Sequence, residues 1–372
     1  MARLDTICSM NMGQSPESSS YNDKGDGLPF FQGNADFGTV HPKVRVWCNT
    51  PTKIAHAGDI LISVRAPIGA LNIADQECCI GRGLAALTVD EERFSKRYIW
   101  HALTSKVGEL NAKGTGSTFK AIGKGALAET EIATPSFSEQ EKIADKLDVV
   151  TSIIAHRKQQ LAELDNLVKA RFVEMFGDPV SNAMAWQMGP LKETCTLMTG
   201  NTPSRTIKEY YGSYIEWIKS DNITNSSLYL TTAAESLSEK GAEVGRVVHP
   251  GAILMTCIAG SLNTIGNVAI VDRDVAFNQQ INAIIPHQYD TLFLCYLLKL
   301  LKPKLHEAAS SALKCILNKG NLETFTAIVP EMALQKEFSS FVAQSDKSKV
   351  AVQKALDEAQ TLFDSLMQQY FG

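Results

Sequence analysis

The sequence predicts an α+β chain: two tandem α/β domains, each followed by a long α-helix. The two helices are expected to pair as an antiparallel coiled-coil spacer with pseudo-twofold symmetry. Three observations predict it. The chain repeats itself about half its length apart; a strand-rich stretch gives way to a wholly helical one in each copy; and the helical stretches carry apolar residues at alternating steps of four and three.

The repeat is carried by several short matches in one order. "LDTICSMNMGQSP" (4–16) lies over "LKETCTLMTGNTP" (191–203) at an offset of 187, which superposes Gly13 on Gly200 and Ser15-Pro16 on Thr202-Pro203. At the same offset "PFFQGN" (29–34) meets "EWIKSD" (216–221), and "AGDILIS" (57–63) meets "PGAILMT" (250–256) at 193. "TPSFSEQEKIADKL" (134–147) matches "VPEMALQKEFSSFV" (329–342) at 195, with Pro135 over Pro330 and Gln140 over Gln335. Both copies end in Phe-Gly, at 176–177 and 371–372.

The matches set the expected boundaries: a first domain over 1–137, a central helix over 138–177, a second domain over 178–332 and a C-terminal helix over 333–372. In the first domain "GDILISV", "ALNIA" and "GLAALTV" are β-like runs bounded by Gly, Pro and Asp, interrupted by the helical "KRYIWHALTSKVGEL" (96–110). Ser138-x-x-Glu141 reads as a capping box for the long helix, and Gly177 with Pro179 as its stop. Inside it, Ile143, Leu147, Val150, Ile154, Leu161, Leu164, Val168 and Met175 form a seam broken only by Arg157 and Arg171. The second seam keeps Phe338, Val342, Val352, Leu356, Phe363, Leu366 and Tyr370, with Ser345 and Lys349 as its irregularities. A single such helix could also lie on its own domain; two matched ones are expected to pair.

The bulk numbers exclude several classes. A 372-residue chain that is 44% hydrophobic and 20% charged has material for two cores and is not disordered. A net charge of −4 argues against wholesale electrostatic binding to nucleic acid but leaves room for local basic patches. Eight cysteines without C-x-x-C read as buried thiols of a reducing compartment. The N-terminus lacks an apolar signal region and the apolar run "TLFLCYLL" (291–298) is too short to span a bilayer, so a cytoplasmic protein without membrane association is expected.

Catalytic patterns are missing. There is no phosphate loop, no G-x-S-x-G, no histidine pair at metal spacing and no N-P-P-[YF]. Gly81-Arg-Gly-Leu-Ala-Ala86 matches G-x-G-x-x-A but leads into a strand-like run, where a dinucleotide fold needs a helix. No catalytic residue, metal ligand or cofactor is expected.

Polar loops at matched places remain. "NAKGTGSTFKAIGKG" (111–125) has Lys113, Lys120 and Lys124 among glycines and hydroxyls, chemistry suited to phosphate oxygens and equally to a solvated loop. "AFNQQINA" (276–283) clusters Asn278, Gln279 and Gln280, which can read adenine edges or simply form a turn.

Taken in order, these motifs resemble the specificity (S) subunits of Type I restriction-modification enzymes, over all 372 residues. The carrying features are G-x-[ST]-P near each domain start, "GDILIS"/"GAILMT", "GTGSTFKAI", and Pro-x-x-x-x-Gln entering each long helix. The resemblance implies that each domain is a target-recognition domain for one half of a bipartite target in double-stranded DNA. The paired helices would set the gap between the halves. Two DNA methyltransferase (M) subunits would dock around them, two translocating restriction (R) subunits could join, and the S subunit itself would not be catalytic. By position the resemblance points to Gln14, Ser15, Gln32, Asn34, Lys113, Thr115, Ser117, Thr118 and Lys120 as DNA-binding in the first domain. In the second it points to Asn201, Thr202, Arg205, Lys219, Asp221, Asn278, Gln279, Gln280 and Lys314. "SSALKCILNKGN" departs from "KGTGSTFKAIGKG" by losing the glycine-bearing start, which weakens the expectation for that loop. The main alternative keeps the architecture and makes the chain an adaptor for two protein partners without DNA readout.

Overall fold

The strand Ile60–Ser63 is buried along its whole length because its two faces meet different cores. Ile60 and Ile62 pack with Tyr98, Ile99 and Leu103 of the helix Lys96–Ser105, whereas Leu61 packs with Phe31, Ile80 and Ala86. A strand covered on both sides has no use for polar alternation, which is why "DILIS" reads as a continuous apolar run. Ile253–Thr256 repeats this, with Ile253 and Met255 in one core and Leu254 in another.

The structure, a computed structural model, describes residues 1–116, 120–224, 227–309 and 316–372. The chain divides into two compact units, 1–159 with 353–372 and 160–352. In the first, an antiparallel sheet has the order Cys8–Met12, Leu84–Val89, Ile60–Ser63, Leu71–Ile73. A second sheet runs Tyr21–Asn22, Trp47–Cys48, Leu28–Phe31, Cys78–Ile80, Ile54–Ala55, with Phe30 and Phe31 in parallel register with Cys79 and Ile80. The second unit has the same two sheets. Cys195–Thr199, Ile281–Pro286, Ile253–Thr256 and Val268–Ile270 form the first; Tyr211–Gly212, Ser236–Leu237, Ile215–Ile218, Val275–Phe277 and Val247–Val248 form the second.

The long helices span Phe137–Phe176 and Met332–Phe371, 40 residues each, or roughly 60 Å at 1.5 Å per residue. The capping box lies two residues earlier than the sequence reading put it. Ser136 Oγ accepts from Glu139 N, and the Glu139 carboxylate accepts from Ser136 N at 3.0 Å. Glu141 is used elsewhere, by Arg97 at 2.6 Å. Gly177 ends the helix with φ 72°, its N–H donating to Val173 O.

The expected seam is the inward face. Leu147, Val150 and Val168 are buried, and Ile143, Ile154, Leu161, Leu164 and Met175 are half-buried. In the first unit Lys146 Nζ donates to Tyr370 OH at 3.2 Å and the Phe371 ring lies 5.2 Å from Tyr98. In the second, Lys349 pairs with Asp165 at 2.7 Å and Arg171 with Glu337 at 2.8 Å, so the helix segments run antiparallel there. Phe172, Phe176, Phe293 and Phe338 form the aromatic centre of that unit's core.

The repeated Pro-x-x-x-x-Gln acquires a physical reason. Gln140 is buried; its Oε1 accepts from Ser95 N at 3.0 Å and its Nε2 donates to Pro135 O at 2.9 Å. Gln335 does the same, accepting from Asp290 N at 2.9 Å and donating to Pro330 O at 2.7 Å. Ser95 and Asp290 are the N-caps of the helices Lys96–Ser105 and Thr291–Leu300, so each glutamine ties a long helix to the start of the helix beside it.

Candidate nucleic-acid interface

Each G-x-[ST]-P turn crosses the sheet edge so closely that only glycine fits. A Cβ on Gly13 would lie 2.2 Å from Gly81 O, and one on Gly200 would lie 2.1 Å from Asn278 O. The next residue is pinned by its backbone: Gln14 N donates to Ile80 O at 3.0 Å and Asn201 N to Phe277 O at 3.1 Å. Each proline carbonyl then accepts from a tyrosine hydroxyl, Pro16 from Tyr21 at 2.9 Å and Pro203 from Tyr211 at 2.7 Å. These tyrosines rest on a second aromatic ring. Tyr21 stacks on Phe30 with centroids 4.7 Å apart, and Tyr211 meets Trp217 edge-on at 6.0 Å. Phe30 and Trp217 occupy equivalent strand positions, since the N–H of each bonds the carbonyl of the residue just before a neighbouring strand, Val46 O ahead of Trp47–Cys48 and Glu235 O ahead of Ser236–Leu237.

In the first unit the rings floor an open cavity of about 390 Å³, lined also by Gln32, Asn34, Arg45 and Arg65. Gln32 and Asn34, expected from sequence, therefore share one concavity. Its wall is set by Asp36, buried, whose carboxylate accepts from Gln32 N at 2.7 Å and pairs with the Arg45 guanidinium. The exposed Gln14 sits at the head of the turn, with its carbonyl accepting from Thr52, and Ser15 Oγ accepts from Arg82 N at 3.3 Å. Lys113 is engaged by Glu109 at 2.7 Å. Thr115 bridges Ala121 through its backbone, and Lys120 O accepts from Ala66 N, which brings this loop beside Arg65. Ser117 and Thr118 lie outside the described residues.

In the second unit the corresponding place is filled by the chain itself. The Arg205 guanidinium lies 4.8 Å from the Tyr211 ring centroid and 5.1 Å from that of Trp217, and Lys219 Nζ lies 5.2 Å from Trp217. Both cations converge on Glu235, Arg205 at 2.8 Å, and the Lys219 hydrogen bond, then Arg205, holds the Glu235 carboxyl below the usual range. Asn201 spends its side-chain amide on backbone, donating to Val244 O and accepting from Arg246 N, both at 2.8 Å. Thr202 donates to the Gln279 side chain. Asn278 is buried and closes a turn, accepting from Gln280 N at 3.0 Å. Gln279 and Asp221 are exposed, Gln280 is half-buried, and Lys314 lies outside the described residues.

The loop after the helical segment departs in sequence between the copies, yet its described end docks identically. Ile122 N donates to Val64 O at 2.9 Å and Leu317 N to Cys257 O at 2.8 Å. The aromatic pairs, Arg45, Arg65 and Glu235 escape a motif search; the available signal was Phe30 over Trp217 at the offset of 187. No group of acids, histidines and cysteines suited to a metal is found among the described residues, and no described helix is long and apolar enough to cross a membrane.

Comparison with known proteins agrees with this duplicated plan. A protein of Methanocaldococcus jannaschii named as the type I restriction enzyme MjaX specificity subunit is 39% identical over 158 residues, covering 42% of this chain and 37% of that protein. The type I restriction enzyme HindI specificity subunit of Haemophilus influenzae is 29% identical over 161 residues, 42% of this chain and 34% of the relative. The aligned segments thus span little more than a third of those relatives. Among solved structures, the S subunit of a Type I restriction-modification system from M. genitalium has the same fold with a TM-score of 0.62 at 16% identity, covering 100% of this chain and 95% of that one. The family described as the Type I restriction modification DNA specificity domain matches residues 1–166 and again 184–359, and the chain belongs to that family.

Proposed function

We propose that this chain is the non-catalytic DNA sequence-recognition subunit of a Type I restriction-modification complex. Each recognition domain reads one half of a bipartite target in double-stranded DNA. The paired helices set the gap and dock two methyltransferase subunits, and two restriction subunits can join. The observation that carries the reading is that the family match falls on both halves of a chain that builds the same turn, sheets and aromatic pair twice. The boundaries we propose for the parts follow the sequence: domains over 1–137 and 178–332, helices over 138–177 and 333–372.

Within this reading the loops bearing Gln14, Ser15, Gln32, Asn34 and Lys120 approach one half-site, and those bearing Thr202, Asp221 and Gln279 approach the other. Phosphate contacts would come from the lysines and arginines, and base contacts from the amides. Affinity of the full chain for duplex DNA should then fall linearly with salt on logarithmic axes, in proportion to the phosphates contacted. A titration over a range of salt concentrations tests this. A steep negative slope is expected; binding of a methyltransferase subunit with no DNA affinity at any salt would make the chain an adaptor and overturn the proposal.

A further inference from the structure

The two aromatic pairs occupy the same place in the fold but carry different covers. In the second unit Arg205 lies across Tyr211 and Trp217, Lys219 approaches Trp217 beside it, and Glu235 joins the two cations. Their counterparts in the first unit are Ser18, Gln32 and Val46. Ser18 stands two residues after Pro16, as Arg205 does after Pro203. Gln32 and Lys219 each follow the aromatic-bearing strand, ending at Phe31 and Ile218. Val46 and Glu235 give their carbonyls to Phe30 N and Trp217 N. Exchanging an arginine, a lysine and a glutamate for serine, glutamine and valine removes the cover and leaves the cavity of about 390 Å³.

The lining says what the open cavity suits. The Tyr21 ring, backed by the buried Phe30 stacked on it, favours a planar guest. The guanidinium that fills the second unit's site is disfavoured here: the acid that would receive it is replaced by Val46, Asp36 is already paired with Arg45, and Arg65 adds positive charge at the rim. The side chains of Gln32 and Asn34 offer paired donors and acceptors to ring edges. We propose that the first domain's cavity binds a nucleobase, stacked on the Tyr21–Phe30 floor with its phosphate toward Arg45 and Arg65, and that the second domain's equivalent site is closed by Arg205. This deepens the DNA-recognition reading and rests on it for the source of the base. An unstacked base of the bound DNA and a free nucleotide share this chemistry.

The test uses the full chain and two probes. Saturation-transfer NMR with each of the four deoxynucleoside monophosphates reads free nucleotides. A duplex carrying the target, with 2-aminopurine stepped through the half read by the first domain, reports an unstacked base by its fluorescence. Saturation centred on ring protons, or a fluorescence rise on binding, is expected, with an affinity loss of roughly tenfold in Ser18→Arg, which adds a side chain at an exposed position. The triple variant Ser18→Arg/Gln32→Lys/Val46→Glu, which transplants the second unit's cover, should abolish the signal. Ring saturation without a fluorescence change would assign the site to free nucleotides; a fluorescence rise that Ser18→Arg suppresses would assign it to DNA. A wild-type chain that binds duplex yet shows neither signal, or signals indifferent to Ser18→Arg, would overturn the inference alone. A chain that binds no duplex would sink the recognition reading, while the nucleotide arm would still decide the cavity.

Discussion

Tyr21 and Tyr211 each donate a hydroxyl to the proline of a G-x-[ST]-P turn, and each rests on a ring from the same strand position. What lies beyond the rings differs: an open, arginine-rimmed cavity in one unit, and an arginine, a lysine and a glutamate folded over the aromatics in the other. The frame is held constant by close backbone contact and buried hydrogen bonds, while the cover is built from the exposed Arg205 and the half-buried Lys219 and Glu235, which stand outside the apolar cores. On the proposed function, two domains that share a scaffold and read different half-sites would need that division between fixed frame and variable surface.

The largest effects should come from the shared frame. Phe338 is fully buried among Phe172, Phe176 and Phe293, and Phe338→Ala should destabilise the second unit by about 3–5 kcal/mol. Its counterpart Ile143 is half-buried, so Ile143→Ala should cost the first unit less, about 2 kcal/mol. Denaturant unfolding of the two variants measures the difference; equal losses would mean that the units' cores are alike after all.

Next comes a pair that should not differ. Gln140→Ala and Gln335→Ala each leave an N-cap N–H and a proline carbonyl without the buried amide, at about 1–3 kcal/mol apiece. A deletion that matters in only one copy would break the claim that the tie is common to both.

These frame elements were legible in the sequence because they repeat and because burial imposes a period. The apolar run "DILIS", the glycine of each turn, the proline–glutamine pair and the seam all follow from contacts that allow few residues. The cap was misread because Ser136-x-x-Glu139 and Ser138-x-x-Glu141 both fit the pattern, and only the position of Arg97 decides which glutamate is free to cap. The second sheet was not legible, since several of its strands are two residues long and held by neighbours distant in sequence. Length changes hid further matches: the turn after the central strand lengthens by four residues, shifting the offset from 193 at Ile253–Thr256 to 197 at Val268–Ile270. The aromatic pocket joins Tyr21, Phe30, Arg45 and Arg65 across 45 positions, and no local pattern foretells that meeting.

The smallest effects belong to the covers. Arg205 is 57% exposed, so Arg205→Ala should change stability by no more than about 1 kcal/mol while uncovering Trp217, readable as a change in its fluorescence against a Trp217→Phe control. The cover should also respond to acid. With its carboxyl held below the usual range, Glu235 contributes above its unfolded pKa, about 4.3, and that contribution is lost as pH falls through the lowered folded value. The Trp217 signal should therefore change in that acid range and stay flat in Glu235→Gln. The first unit has Val46 at this place and should show no such titration at its aromatic pair.

Whether this duplicated chain directs a methyltransferase to a bipartite DNA sequence, as proposed, can be read from the adenine methylome of its source strain with and without the gene. Deletion should erase methylation at one motif made of two short halves around a fixed gap. A methylome unchanged by deletion, in cells where the chain is made and bound to a methyltransferase subunit, would contradict it.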